Sequence, residues 1–324
     1  MLPFIDMHCD TLGACLRGVR DIFSLPDMML DVTRMAKAGQ AAQFFAVFFR
    51  PEGAAAPDGA PLPGDDQLFD LHRDLLLESI AAHPDQFALA HRADDIENNR
   101  AHGKISAILT LEDGRAVRGE IERLRRFYER DVRVITLTWN GENCFGSPNS
   151  TEARVMGRGL TDFGLQAVEY MNELGMLVDV SHLSDGGFWD VARISRKPFA
   201  ATHSNCRALA PHPRNLTDEM IRALANRGGV AGLNFFPPFL SPDPDEEHSR
   251  VEDMCRHVLH LLNTGGEDCV ALGSDFDGIY GKLEIASPED VPALFAALEK
   301  AGLTPRQLEK FAYGNVMRVL RDCL

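Results

Sequence analysis

The sequence predicts an α/β fold, a (β/α)8 TIM-type barrel, and three observations carry that prediction. Short apolar or β-branched runs alternate with longer stretches whose apolar residues recur at helical spacing. Eight such runs fit within the 324 residues, a length at which α/β barrels form one domain. The competing architecture, a doubly wound open sheet, would be favoured by a GxGxxG turn after the first run, and none is there.

Strands are expected at Phe4–His8, Ala42–Phe49, Ile105–Leu111, Val132–Thr138, Met176–Ser181, Phe199–His203, Gly229–Phe235 and Cys269–Ser274. Helical spacing is read in Gln67–Ala82, Gly119–Glu129, Asp162–Leu174, Asp218–Ala225 and Val251–Leu262, with closing helices at Pro288–Ala301 and Thr304–Leu320. No fixed-period repeat interrupts this alternation, so residues 1–324 are expected as one domain. Two segments rich in proline and glycine or acidic residues, Pro51–Asp66 and Pro237–Ser249, are read as irregular. Both would project from the C-terminal face of the strands, where barrel active sites lie. They are expected either as walls of a pocket or as plain surface loops.

Composition narrows the function. Hydrophobic residues make up 45% and charged residues 25%, as in an ordinary globular protein. The 48 acidic against 33 basic side chains give a net charge of −15, which repels phosphate backbones and argues against nucleic acid and anionic membranes as partners. No apolar run is long enough to span a bilayer, and MLPFIDMHCD lacks the basic start and apolar stretch of a signal peptide. Seven cysteines without a CxxC pair read as reduced thiols, so a cytoplasmic location is expected.

The chemistry is written at the strand ends. The first strand closes on His8-Cys9-Asp10, and strand alternation puts His8 and Asp10 on one side, a nitrogen and a carboxylate suited to a metal. The third closes on Glu112, the fifth on His182, the sixth on His203 and the eighth on Asp275. A single histidine at a strand end is most often a hydrogen-bonded structural residue, and an Asp near a Gly is usually a turn or cap. Three histidines and three carboxylates from five strands at one end of a barrel are a different matter. Clustered carboxylates in a barrel mouth need a cation between them. Five ligands exceed one tetrahedral zinc with an open position and suit two metals sharing a carboxylate, for which Glu112 is the natural bridge.

The segments FIDMHCDTL, LTLEDG, VDVSHLS, ATHSNCRAL…HPRNLTDEMI and GSDFDG resemble the renal (membrane) dipeptidase family of zinc metallopeptidases, within the amidohydrolase-like barrels. The resemblance runs from Phe4 to YGNVMRVL near the C-terminus. It implies two Zn2+ per chain, with His8 and Asp10 on one, His182 and His203 on the other, and Glu112 between them. It further implies that Asp275 handles the proton and that Arg214, in HPRN, holds the substrate's terminal carboxylate. The implied substrates are dipeptides, with a D-residue tolerated at the C-terminal position, and a homodimer is left open as the assembly. Mammalian members carry a histidine in a Leu-Thr-His context after the fourth strand and have secretion and lipid-anchor signals. Here that stretch reads Leu137-Thr138-Trp139-Asn140, and neither signal is seen, as in a bacterial-type member. Trp139 is expected to wall the pocket, or else to pack under the barrel rim, with Asn140 or the Trp139 indole N–H taking over as donor.

Three rival readings remain. Another small amide or a lactone, of the N-acyl amino acid type, could be cleaved on the same metals. A catalytically silent scaffold would be favoured by loss of a ligand or of Asp275, and all are present. A cysteine hydrolase could use Cys9 or Cys206, but neither stands in a glycine-flanked nucleophile turn. His72, His83, His91, His102, His248, His257 and His260 are read as lying away from the strand ends, while His212 stands close to Arg214.

Overall fold

A computed structural model describes residues 2–49, 61–243 and 245–324. Eight strands form the barrel: β1 (Phe4–Cys9), β2 (Gln40–Phe48), β3 (Ile105–Glu112), β4 (Val132–Thr136), β5 (Leu177–Asp179), β6 (Ala200–Ala201), β7 (Val230–Leu233) and β8 (Val270–Leu272). Each pairs in parallel with the next, and Asp6 opposite Leu272 joins β1 to β8 and closes the ring. All eight predicted runs therefore carry barrel strands, with ends that move by at most two residues. A further short strand, Phe87–Leu89, lies beside the start of β3. The sequence reading missed it because three residues show no period.

Inside the ring, Ile5, Met7, Phe44, Ile108, Val134 and Val230 pack on one another and on the last helix, Asn315–Cys323, which plugs the N-terminal end. Outside, the strands pack on the helical shell through residues such as Phe45, Leu109, Ile135 and Val178. Alternate faces of each strand are thus both apolar, the signature of a parallel sheet covered on both sides. That closed, tightly packed interior leaves the C-terminal rim as the place where the polar strand-end side chains cluster.

Local chemistry sets the helices. Thr161 caps Asp162–Leu174 by accepting from the Gly164 N–H, and Gly175 ends it at φ 77°. Thr217 caps Asp218–Asn226 in the same way. Helices Val32–Ala38, Ala93–Ala101 and Asp185–Ile194 were not expected. In the last, Gly186 and Gly187 are close-approach positions: a Cβ on Gly186 would sit 2.4 Å from the Arg158 carbonyl.

Three expectations are refined. Thr304–Leu320 is a continuous helical run, over residues 305–323, but its middle, Lys310–Gly314, is wound as a wider π-helical turn between Pro305–Glu309 and Asn315–Cys323. Pro288–Ala301 begins as a 3-10 turn, Pro288–Asp290, before the helix Val291–Lys300. The segment read as irregular after β7 contains the short helix Pro237–Leu240, whose prolines open it where no N–H is needed, and His248–Ser249, which pairs with Lys282–Leu283. Of the other such segment, residues 51–60 lie outside the described residues, and Asp65 and Asp66 begin the helix Asp65–Ala82.

Candidate active site

The rim brings together the side chains that the strand ends present. On β1, Ile5 and Met7 face the barrel interior, and the pairing register with β2 then shifts between Asp6 and Cys9. Such irregularities re-aim side chains at barrel rims. The shift lets His8 and Asp10 enter the mouth where simple alternation from Ile5 would turn them away.

Glu112 is the hub. Its Oε2 lies 3.2 Å from His8 Nε2, while its Oε1 lies 2.9 Å from His182 Nε2 and 3.5 Å from His203 Nε2. Asp10 Oδ2 and Asp275 Oδ1 each approach His8 Nε2 to 3.8 Å. The His8 and His203 rings overlap at 3.9 Å between centroids. Metal-type donor groups therefore form on either side of Glu112, among them His8, Glu112 and His203, and His8, Asp10 and Asp275. His8 Nε2 and Asp10 Oδ1 are buried and make no hydrogen bond. Buried donors and acceptors are rarely left so.

The electrostatics tell the same story. Burial opposes the charged form of Glu112, but His8, His182 and His203 outweigh it and hold its carboxyl well below the usual range. Burial likewise opposes a charge on His8, yet Glu112 and Asp10 win and hold it protonated well above the ordinary imidazole value. Burial, reinforced by Glu112, raises Asp10 to about 6; burial, reinforced by Asp10 and Glu112, raises Asp275 to about 7. A protonated His8 thus sits among the ionised Glu112 and two carboxyls, Asp10 and Asp275, that are pushed toward their neutral forms, an arrangement in which a proton stands where a cation would. Burial also lowers His182 to about 4 and holds His203 well below the usual range, so both are neutral and free to ligate.

The second pair of nitrogens is decisive about the fit. His182 Nε2 and His203 Nε2 face each other at 3.0 Å. His182 Nδ1 lies 3.2 Å from the Asn140 Oδ1 acceptor, and His203 Nδ1 lies 2.8 Å from the Thr202 hydroxyl. With the Nδ1 positions carrying the protons, two bare lone pairs meet beside a carboxylate oxygen. That arrangement is repulsive unless a cation sits among them, so the residues fit a metal.

These groups open into a cavity of about 750 Å³, lined among others by Phe48, Trp139, Asn140, Arg214, Phe236 and Tyr280. Asp275 Oδ2 accepts from Asn234 Nδ2 at 2.8 Å, which fixes its orientation. His182 and Asp275 take φ values of 69° and 67°, a left-handed backbone that is uncommon for residues other than glycine and concentrates at functional sites. Arg214 is 6% exposed. Its Nη1 donates to Ser204 Oγ at 3.1 Å and its Nη2 to the His203 carbonyl at 3.3 Å, while its buried Nε has no partner. No carboxylate pairs with it among the described residues, although burial lowers its pKa only to about 10 and leaves it charged at neutral pH. Trp139 lines the cavity and meets Phe48 edge to face at 5.0 Å.

Sequence reading missed part of this wall. His72 lines the cavity from the middle of Asp65–Ala82, where nothing in its local sequence marks it. Asp277 also lines it, accepting from the Thr11 hydroxyl at 2.5 Å and the Met29 N–H at 2.7 Å. GSDFDG contains it, but alternation alone gave it no role. His212 accepts from the Arg214 N–H at 3.2 Å and does not line the cavity. Cys9 and Cys206 are buried with their thiols pushed upward by desolvation, which disfavours the nucleophilic thiolate.

Comparison with known proteins places this geometry. Residues 1–323 match a family described as membrane dipeptidase, peptidase family M19. An uncharacterised Klebsiella pneumoniae protein encoded in the pqqA 5′ region is 37% identical over 269 residues, covering 81% of this chain and 98% of that one. The crystal structure of a dipeptidase of family M19 superimposes with a TM-score of 0.89 at 31% identity, covering 99% of this chain and 98% of the other. A Rhodobacter sphaeroides metallopeptidase, liganded with a phosphinate mimic of the dipeptide L-Ala-D-Ala, gives a TM-score of 0.88 at 31% identity, covering 100% and 99%. No helix among the described residues is long and apolar enough to cross a membrane.

Proposed function

This chain belongs to the membrane dipeptidase family, peptidase family M19, a family of peptide-bond hydrolases, and from that membership we propose that it cleaves free dipeptides with two zinc ions held across Glu112. The observation that carries the reading is the division of the Glu112 carboxylate, one oxygen toward His8 and the other toward His182 and His203. His8 and Asp10 are assigned to one ion and His182 and His203 to the other. When bound, such a pair lowers the pKa of a shared water and polarises the scissile carbonyl.

The chain's own groups supply the rest. Asp275, oriented by Asn234, takes the proton of the attacking water and hands it to the leaving amine. Its burial keeps it within reach of both protonation states near neutrality, although a bound cation pulls that balance toward the carboxylate. Arg214 holds the terminal carboxylate through a planar fork, restricting the site to short substrates with a free C-terminus. Trp139 walls the pocket, and Asn140, whose Oδ1 faces His182, keeps its Nδ2 as a donor toward substrate. A D-residue at the C-terminal position fits the ligand carried by the Rhodobacter relative.

Elemental analysis of the purified protein together with a dipeptide library of both stereochemistries tests the proposal. Two zinc ions per chain and release of free amino acids from dipeptides are expected. One ion in fully active protein, or no dipeptide cleaved, overturns it.

A further inference from the structure

The Asp179 carboxylate, at the end of β5, is fully buried and accepts from four donors. Its Oδ1 receives the Ser181 N–H at 2.9 Å and the Thr202 N–H at 2.9 Å. Its Oδ2 receives the Thr136 hydroxyl at 2.6 Å and the Thr202 hydroxyl at 2.7 Å. A carboxylate so surrounded is an acceptor only. The Thr202 hydroxyl owns one proton, and it is committed to Asp179. Its oxygen can therefore meet His203 Nδ1, 2.8 Å away, only as an acceptor. Nδ1 must carry the hydrogen, and Nε2 must present its lone pair to Glu112 Oε1 and His182 Nε2.

From this chain of single-proton choices we infer that Asp179, acting through the Thr202 hydroxyl, is the positioning residue that sets the tautomer and ring orientation of His203 for the second metal ion. The inference rests on the two-metal reading above. Neither Asp179 nor Thr202 lines the cavity.

The backbone around the relay leaves it no slack. A Cβ on Gly273 or Gly232 would stand 1.8 or 1.9 Å from the Thr202 carbonyl oxygen, so β7 and β8 close on Thr202 to a distance only glycine permits. His203 itself is 0% exposed. Its partner His182 is held differently. The group facing His182 Nδ1 is a neutral amide, that of the exposed Asn140. The two histidines assigned to one ion are thus supported unequally, His203 by a buried charge through a hydroxyl and His182 by an uncharged side chain at the rim. His8 and Asp10 draw nothing from Asp179. Loss of the relay should weaken one ion and spare the other, a selectivity that general loss of packing would not give.

Thr202→Val keeps the shape and removes the hydroxyl, and Thr202→Ser restores it. Zinc content and affinity are read on the full chain by competition against a graded chelator, with thermal melting of the metal-free proteins as the check on folding. One zinc should bind as in the unaltered protein and the other about 10- to 100-fold more weakly, the usual effect of removing such an outer partner. Thr202→Ser should recover both. Equal retention of both ions in Thr202→Val, or equal weakening of both, overturns the relay. Should Thr202→Val fail to fold, 15N NMR of the imidazoles in the unaltered metal-free protein decides. His203 must appear as the Nδ1–H tautomer, and an Nε2–H tautomer overturns the relay. Two bound ions with the expected loss of one in Thr202→Val, but no dipeptide turnover, would reject the substrate reading and leave the relay standing. An unaltered protein that binds no divalent cation overturns both.

Discussion

Arg214 gives the sharpest test of substrate recognition. A buried guanidinium with two neutral acceptors and an unpartnered Nε, which feels Asp275, Glu112 and Asp179 without a direct ion pair to any carboxylate among the described residues, has room for one more anionic partner. Phe239 covers the guanidinium, its ring centre 5.3 Å from the guanidinium carbon, and both residues line the cavity. A substrate carboxylate supplies the missing anion through paired N–H···O contacts. Arg214→Lys keeps the charge but replaces the fork with a single ammonium point. A hydrogen bond to a charged group contributes about 1.5–3 kcal/mol, so losing one prong should lower kcat/KM roughly 10- to 150-fold. The assay compares each dipeptide with its C-terminal amide, in both proteins. The unaltered protein should discriminate against the amide by a similar factor, and Arg214→Lys should discriminate much less. Equal turnover of dipeptide and amide by the unaltered protein would refute the carboxylate role, and a uniform loss on both substrates in the variant would show that Arg214 only supports the rim.

Other predictions follow from the same geometry. Glu112→Gln leaves a side chain of the same shape without the charge shared by His8, His182 and His203, and it should abolish turnover and release at least one zinc by elemental analysis. Trp139→Ala should accept bulkier side chains while losing rate on small ones; an unchanged substrate ranking with a lower Tm would mean that its contact with Phe48 is merely structural. His257, away from the site, is held neutral by burial at a pKa of about 4, accepting from the Cys206 N–H and donating to the Leu240 carbonyl. Its folded pKa lies below the unfolded value, so its contribution is full above about pH 6.5 and fades as pH falls toward 4, by up to about 3 kcal/mol. Urea denaturation should show that His257→Gln removes part of this acid slope.

How far the fold could be read from the chain depends on period. The barrel was legible because buried parallel strands are continuous apolar runs, such as Ile105–Glu112, and because helices such as Asp162–Leu174 carry both a cap and a terminating glycine. The helix Asp185–Ile194 was not legible, since DGGFWD has the local look of a turn. Tertiary contact with Arg158 and Leu183 is what requires those glycines. The wide turn at Lys310–Gly314 has no local marker at all, and an uninterrupted apolar period concealed it.

For the candidate site, the convergence of the strand-end residues was legible and their mutual arrangement was not. His8, Asp10, Glu112, His182, His203 and Asp275 stand at strand ends, and a closed parallel barrel forces strand ends to converge, so topology alone brings them near one another. Which atoms face which is decided by departures from regular geometry: the register shift in β1 that admits His8, and the left-handed backbones of His182 and Asp275. No residue pattern announces these. Asp179 shows the same limit from the other side. It is the last residue of β5 and drew no role from the sequence, and its four donors come from β4, the residues just after β5 and the residue after β6. Only the closed ring places Thr136 and Thr202 on either side of it. A carboxylate that would be costly when unpaired is fully satisfied there, and the only proton choice left open falls on His203. Barrel closure therefore gathers the candidate ligands and also fixes, through a group outside the cavity lining, which nitrogen one of them can offer.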